Sequence, residues 1–174
     1  MNKPRHILLA GLRGSGKTTL GRLLAKRLRL VHIDLDDRTA TVLGRATCAE
    51  ALTELGEPAF REGEARALEE ALAGSESVIS LGGGSPTAPG ARRLIADSGA
   101  LLVYLRLSPR ELARRLSLTD LTDRPSLTGA GVIEEIQTLY DARDPLYLTL
   151  GETIEVGTES VEQTLERLVD RVNA

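Results

Sequence analysis

Eight residues constrain this chain more than any others: Gly11-Leu12-Arg13-Gly14-Ser15-Gly16-Lys17-Thr18. They match the phosphate-loop pattern without mismatch, and their context is the required one. The apolar run His6–Ala10 precedes them as a buried strand, and Leu20, Leu23, Leu24 and Leu28 continue them as a helical stripe. The spacing has a physical reason. Glycines let successive backbone N–H groups curl around phosphate oxygens, and the helix N-terminus behind them presents its positive dipole end. Lys17 adds a point charge for the β- and γ-phosphates, and the Thr18 hydroxyl is a Mg²⁺ ligand.

A loop of this kind requires an α/β chain, and the remaining sequence agrees. Short apolar runs alternate with helical patterns, the signature of a parallel sheet flanked by helices. Strands are expected at 6–10, 31–33, 77–81, 100–105 and 153–156. Helices are expected over 18–28, from a Thr47 cap with Glu50 in capping-box position to Leu55, over 58–73, from Pro89 to about Ser98, after Ser108-Pro109, over 132–144 and over 160–172. Leu118–Gly131 is polar, contains Pro125, Gly129 and Gly131, and reads as a loop that moves. With 174 residues and no repeat or linker, the whole of 1–174 is expected to be one domain.

Composition removes several function classes. The net charge of −3 comes from 22 basic and 25 acidic residues and gives no general attraction to nucleic acid. No apolar run has the length of a membrane span, and Met1–His6 lacks a signal core, so a cytoplasmic protein is expected. Cys48 is the sole cysteine, which excludes an intrachain disulfide and a cysteine zinc cluster. Phe60, Tyr104, Tyr140 and Tyr147 are the whole aromatic set, so the core must be aliphatic. No Asn-Lys-x-Asp stretch specifies guanine, and the chain is short for a motor ATPase. A compact small-molecule kinase is left.

Two further motifs sit where strands should end. Ile33-Asp34-Leu35-Asp36-Asp37 leaves the second strand beside the phosphate loop, at the edge where open parallel sheets hold ligands. Asp34 and Asp36 share a side if the extended geometry continues. One can hold Mg²⁺ through water, the other can take a hydrogen bond or proton from an acceptor hydroxyl, and Asp37 reads as a helix cap. Gly82-Gly83-Gly84 follows the third strand and permits close backbone approach to a ligand. His6 and His32 read as strand residues without a motif.

Taken in order, the phosphate loop, Asp34-x-Asp36, Phe60-Arg61, Gly82–Gly84, Arg124-Pro125 and Arg143-x-Pro145-Leu146-Tyr147 resemble the shikimate kinase family over nearly the whole chain. The resemblance implies a three-layer α/β/α P-loop kinase fold with a five-stranded parallel sheet ordered 2-3-1-4-5, a lid at about 117–130 and a moving substrate-binding region at about 37–64. It implies transfer of the ATP γ-phosphate to the 3-hydroxyl of shikimate, with Mg²⁺. Lys17, Asp36 and Arg124 would be catalytic. Gly14, Ser15, Gly16, Lys17, Thr18 and Thr19 would enclose the ATP phosphates, Arg115 would lie along the adenine, and Arg124 would swing in on the lid. Asp36, Arg61, Gly82, Gly83, Gly84 and Arg143 would bind shikimate, with the two arginines gripping its carboxylate, Gly83 lending an N–H and Glu64 holding Arg61. Thr18 would bind the metal directly and Asp34 through water. Two positions depart from the family: Glu62 stands where a further arginine is frequent, and Glu155-Val156-Gly157-Thr158 replaces a Val-Asp stretch near the adenine. A gluconate or nucleoside monophosphate kinase of the same fold, and a ligand-binding regulatory module without turnover, are the competing readings. A monomer is expected.

Overall fold

Side chains alternate across the central strand, and that alternation builds two cores. In β1 (His6–Ala10), Ile7 and Leu9 turn to one face while Leu8 and Ala10 turn to the other, all four at most 1% exposed. The neighbouring strands β3 (Ser77–Ser80) and β4 (Leu101–Arg106) follow suit. Val78 and Val103 join Ile7 and Leu9, whereas Ile79 and Leu102 join Leu8 and Ala10. Strands apolar on both faces are what a parallel sheet covered by helices on both sides requires. The computed structural model describes residues 4–88, 90–118 and 135–174.

The sheet has five strands in the order β2-β3-β1-β4-β5, with β2 at Val31–Asp34 and β5 at Glu152–Glu155. Every pairing is parallel. One face is covered by α1 (Lys17–Leu28), α5 (Pro109–Leu116), α6 (Ile136–Tyr147) and α7 (Val161–Asn173), which bring Leu24, Leu116, Tyr147 and Leu168 to the core. The other face is covered by α2 (Leu35–Val42), α3 (Cys48–Ala73) and α4 (Ala91–Ser98), through Leu35, Leu68 and Ile95. Fold and strand order are those expected from the resemblance. No helix among the described residues is long and apolar enough to cross a membrane.

Several local expectations shift. The extended chain does not continue through Asp36. Asp34 itself caps α2, its side chain accepting from the Asp36 N–H at 3.1 Å, so Asp34 and not Asp37 is the cap, and Asp37 lies in the first helical turn. The helices expected at 47–55 and 58–73 follow one another as α3, broken at Gly56, whose φ of 78° and ψ of 166° interrupt the helical path just before Pro58. Thr47 caps α3 as expected, but the Glu50 carboxylate reaches back to the Ala46 N–H, one residue before the cap. The helix expected to stop at Asp144 runs through Pro145 to Tyr147. Proline removes one backbone donor, but the Leu148 N–H still bonds the Asp144 carbonyl at 3.0 Å. Pro89, the residues 132–134 placed in a helix, Arg124 and all but the first two residues of the expected lid lie outside the described residues.

Candidate active site

Three strand ends meet at the carboxyl edge of the sheet and open a cleft of about 420 Å³. The loop after β1 forms its floor. Gly14 (φ 82°) and Gly16 (φ 92°) take left-handed backbone conformations, so side chains at those positions would be strained. Gly16 caps α1, whose first residue is Lys17. The Lys17 ammonium donates to the Gly11 carbonyl at 2.8 Å and the Leu12 carbonyl at 3.1 Å. The Thr18 hydroxyl donates to Asp34 Oδ2 at 2.8 Å, joining the start of α1 to the end of β2. A hydroxyl and a carboxylate at a helix N-terminus form a hard oxygen donor set, which suits Mg²⁺. Arg13 also lines the cleft and pairs with the buried Glu135 at 3.5 Å.

Asp36 enters the same cleft one residue into α2. It is open to the cleft, but protein surrounds the carboxyl group closely on the other sides. That burial raises its pKa above the ordinary carboxylate range; Lys17 opposes the shift, and the nearby Asp34 and Glu64 reinforce it. A carboxyl so placed is a better proton acceptor than a free aspartate once it is ionised. Gly82 is a glycine because a Cβ there would overlap the Asp36 carboxylate and come within 2.8 Å of Ser85 Oγ. Cys48 donates to the Asp36 carbonyl at 3.1 Å, and burial pushes its thiol up to about 12.

Two arginines approach the triple-glycine turn from opposite sides. Arg61, on α3 after the kink, donates to Glu64 Oε2 at 2.7 Å and lies 3.4 Å from Glu57 Oε1. Glu64, 3% exposed, accepts from Ser85 Oγ at 2.6 Å with its other oxygen. Burial alone would lower the pKa of Arg61, but the bond to Glu64 outweighs it and raises the pKa, so the guanidinium is firmly charged. Arg143, on α6, donates to the Gly83 carbonyl at 2.8 Å, and the Tyr147 hydroxyl donates to the same oxygen. Two guanidinium groups lining one cleft beside Asp36 make a place for a small anion that carries hydroxyls.

A smaller recess of about 210 Å³ adjoins the loop on the other side, lined by Gly14, Gly16, Arg115, Val156, Glu159 and Thr164, among others. Arg115 is held there by Glu111 at 2.9 Å and by the Gly157 carbonyl at 3.2 Å. Hydrogen bonds from Arg114 and Arg115 hold the Glu111 carboxyl down at about 2. Arg114 itself is exposed on the outer side.

Of the residues named from the sequence, Gly14, Gly16, Lys17, Thr18, Thr19, Asp34, Asp36, Arg61, Gly83, Gly84, Arg115 and Arg143 line the cleft. Ser15 lines the smaller recess instead, and Gly82 packs behind Asp36. Arg124 lies outside the described residues. Sequence reasoning missed Arg13, Cys48 and the Ser85 bond to Glu64, and it gave Tyr147 no role of its own. His32, read from the sequence as a strand residue, lies in β2 behind the loop. His32 Nε2 lies 3.0 Å from Ser80 Oγ, which itself donates to the Lys17 carbonyl at 3.0 Å. His6 is a buried strand residue bonded to Ser77, as expected.

Comparison with known proteins gives a consistent answer. A family model for shikimate kinase matches residues 13–173. The shikimate kinase of Saccharopolyspora erythraea is 42% identical over 169 residues, covering 96% of this chain and 93% of the relative. That of Rhodopirellula baltica is 42% identical over 147 residues, 83% and 78% of the two chains. Among solved structures, shikimate kinase from Acinetobacter baumannii in complex with shikimate superposes with a TM-score of 0.87 at 27% identity, over 97% of this chain and 92% of the other. The Bacteroides thetaiotaomicron enzyme gives 0.86 at 31% identity, over 97% and 98%.

Proposed function

The chain belongs to the shikimate kinase family, and from that premise we propose how its cleft transfers the ATP γ-phosphoryl group to the 3-hydroxyl of shikimate. The observation that carries the reading is the placement of Arg61, Arg143 and Asp36 around one cleft floored by the phosphate loop. Shikimate is an anion with several hydroxyls. Its carboxylate lies between the two guanidiniums, and one hydroxyl turns to Asp36. Arg61 is aimed by Glu64, and Arg143 by the Gly83 carbonyl. Asp36 accepts the hydrogen bond of the attacking hydroxyl and takes its proton as the oxygen–phosphorus bond forms and the bond to ADP breaks.

Gly14–Thr19 hold the phosphates of ATP, with Lys17 at the β- and γ-oxygens and Arg115 beside the adenine. The recess formed with Val156 and Glu159 supplies the remaining wall for the base. Thr18 directly, and Asp34 through water, would hold Mg²⁺, which would supply charge compensation to the ATP phosphates. Arg124 adds charge from the lid at 117–130, which excludes water and limits wasteful hydrolysis. The region 37–64 moves with the acceptor. The whole of 1–174 acts as a single domain and a monomer in the cytoplasm.

The methyl ester of shikimate tests the arginine pair. It keeps the hydroxyls and loses the negative charge. The wild-type protein should use it with kcat/KM lower by about a hundredfold or more, since charge-assisted bonds to both guanidiniums are lost. Arg61→Ala and Arg143→Ala should each lower kcat/KM for shikimate and shrink the difference between acid and ester. Equal use of acid and ester by the wild type would overturn this assignment.

A further inference from the structure

An ion pair lies behind the acceptor site and takes no part in the transfer itself. Asp144 follows Arg143 on α6, so the two side chains leave the helix about 100° apart. Arg143 turns to the triple-glycine turn and Asp144 turns to the sheet. There the buried Asp144 carboxylate accepts three hydrogen bonds: from Tyr104 Oη at 2.8 Å, Arg106 Nε at 2.7 Å and Arg106 Nη2 at 2.8 Å. The remaining arm of Arg106 donates to Glu155 Oε1 at 2.8 Å, so β4, β5 and α6 are tied at one point. The Tyr140 ring packs by the same guanidinium, 6.0 Å from its carbon.

The network closes on the site. Tyr104 also meets Tyr147 edge-on, with ring centres 5.0 Å apart and planes at 75°. Tyr147 donates to the Gly83 carbonyl, the oxygen that Arg143 also uses. These contacts fall on the stretch of α6 that contains Pro145, where the helix has lost a backbone donor and needs fixing from outside.

We infer that the Arg106–Asp144 pair is a positioning device that sets the direction of Arg143 and Tyr147 at Gly83, and through them the affinity for the acceptor's carboxylate. The physics favours positioning over stability. With Asp144 buried and Arg106 part-exposed, desolvation and solvent screening offset much of the pair's attraction, and an apolar pair of similar volume often holds a fold equally well. What an apolar pair does not supply is direction. Two parallel N–H···O bonds fix the rotation and register of the helix on the sheet. This inference rests on Arg143 acting as a carboxylate ligand.

The test is the double variant Arg106→Met with Asp144→Leu, which removes both charges together and leaves neither stranded. Its melting temperature should stay within a few degrees of wild type. Its KM for shikimate should rise about tenfold, the scale expected when a remote change misplaces a binding group, with KM for ATP changed less than about twofold. Arg106→Lys keeps a charge but cannot engage both Asp144 oxygens in parallel, and it carries the same expectation should the double variant not fold. Arg143→Ala is measured alongside. If Arg143→Ala raises the KM for shikimate but the paired variants leave it at the wild-type value, the pair is structural only and the inference fails. If Arg143→Ala itself leaves the KM unchanged, the carboxylate reading is wrong and this inference falls with it.

Discussion

The Thr18 hydroxyl donates to Asp34 Oδ2 at 2.8 Å, so the second residue of α1 is bonded to the cap of the next helix. Asp34 thereby does two jobs, since its other oxygen receives the Asp36 N–H at 3.1 Å. In the proposed reaction the same two side chains share the Mg²⁺ that accompanies ATP. Asp34→Ala should raise the Mg²⁺ concentration needed for half-maximal rate by about tenfold, as losses of groups behind a metal's direct ligands commonly do. The shift is read from rate against free Mg²⁺ at saturating ATP and shikimate. An unchanged Mg²⁺ requirement would remove Asp34 from the metal's surroundings.

Asp36→Asn separates catalysis from stability in opposite directions. Losing the proton acceptor should lower kcat by about a hundredfold or more while ATP binding stays near wild type. Because burial raises the folded-state pKa of Asp36, ionising it costs the folded protein free energy at neutral pH. Stability from this group falls as pH rises from the unfolded value through the raised folded one, and below both values the cost is absent. The asparagine variant should therefore melt higher than wild type at pH 7, with the advantage shrinking as the pH is lowered into the ordinary carboxylate range. Melting curves across pH measure it. A variant less stable than wild type at pH 7 would contradict the burial argument.

Glu64 is a buried carboxylate with two partners, Arg61 at 2.7 Å and Ser85 at 2.6 Å. Glu64→Gln keeps the volume but removes the charge opposite Arg61. We expect a loss of about 2–4 kcal/mol in stability, because a partly buried guanidinium is left without its main counter-ion. The KM for shikimate should rise about tenfold, through loss of Arg61 orientation. Arg93, 88% exposed and paired with the exposed Asp97, is the contrast, and its alanine variant should change stability by less than about 0.5 kcal/mol. Denaturant titration and steady-state kinetics on the same preparations separate the two effects.

Much of the fold and the site is legible in the chain. The phosphate loop, the alternation of strands and helices and the clusters at strand ends come from local patterns, which periodicity and glycine spacing reveal. The strand order does not come from periodicity, because pairing is non-local; it comes from the resemblance carried by six motifs in sequence. The points where expectation and structure part have physical causes. The helix beginning at Leu35 hides behind an Asp-rich stretch that fits equally a strand end and a cap. Pro145 suggests a helix end, but Asp144, Tyr104 and Arg106 hold that turn from outside. The bond of Ser85 to Glu64 spans 21 positions and that of Tyr104 to Asp144 spans 40, distances over which single-chain patterns carry no signal. The second recess, lined by Val156 and Glu159, shows how the unusual Glu155–Thr158 stretch still forms a wall beside Arg115.

The most direct test of the central claim is ADP release from Mg-ATP with shikimate, gluconate and a nucleoside monophosphate each offered alone. Rapid release is predicted with shikimate only, matched mole for mole by shikimate 3-phosphate. Release with gluconate or the nucleotide instead, or none with any acceptor despite measurable binding of ATP and shikimate, would contradict that claim.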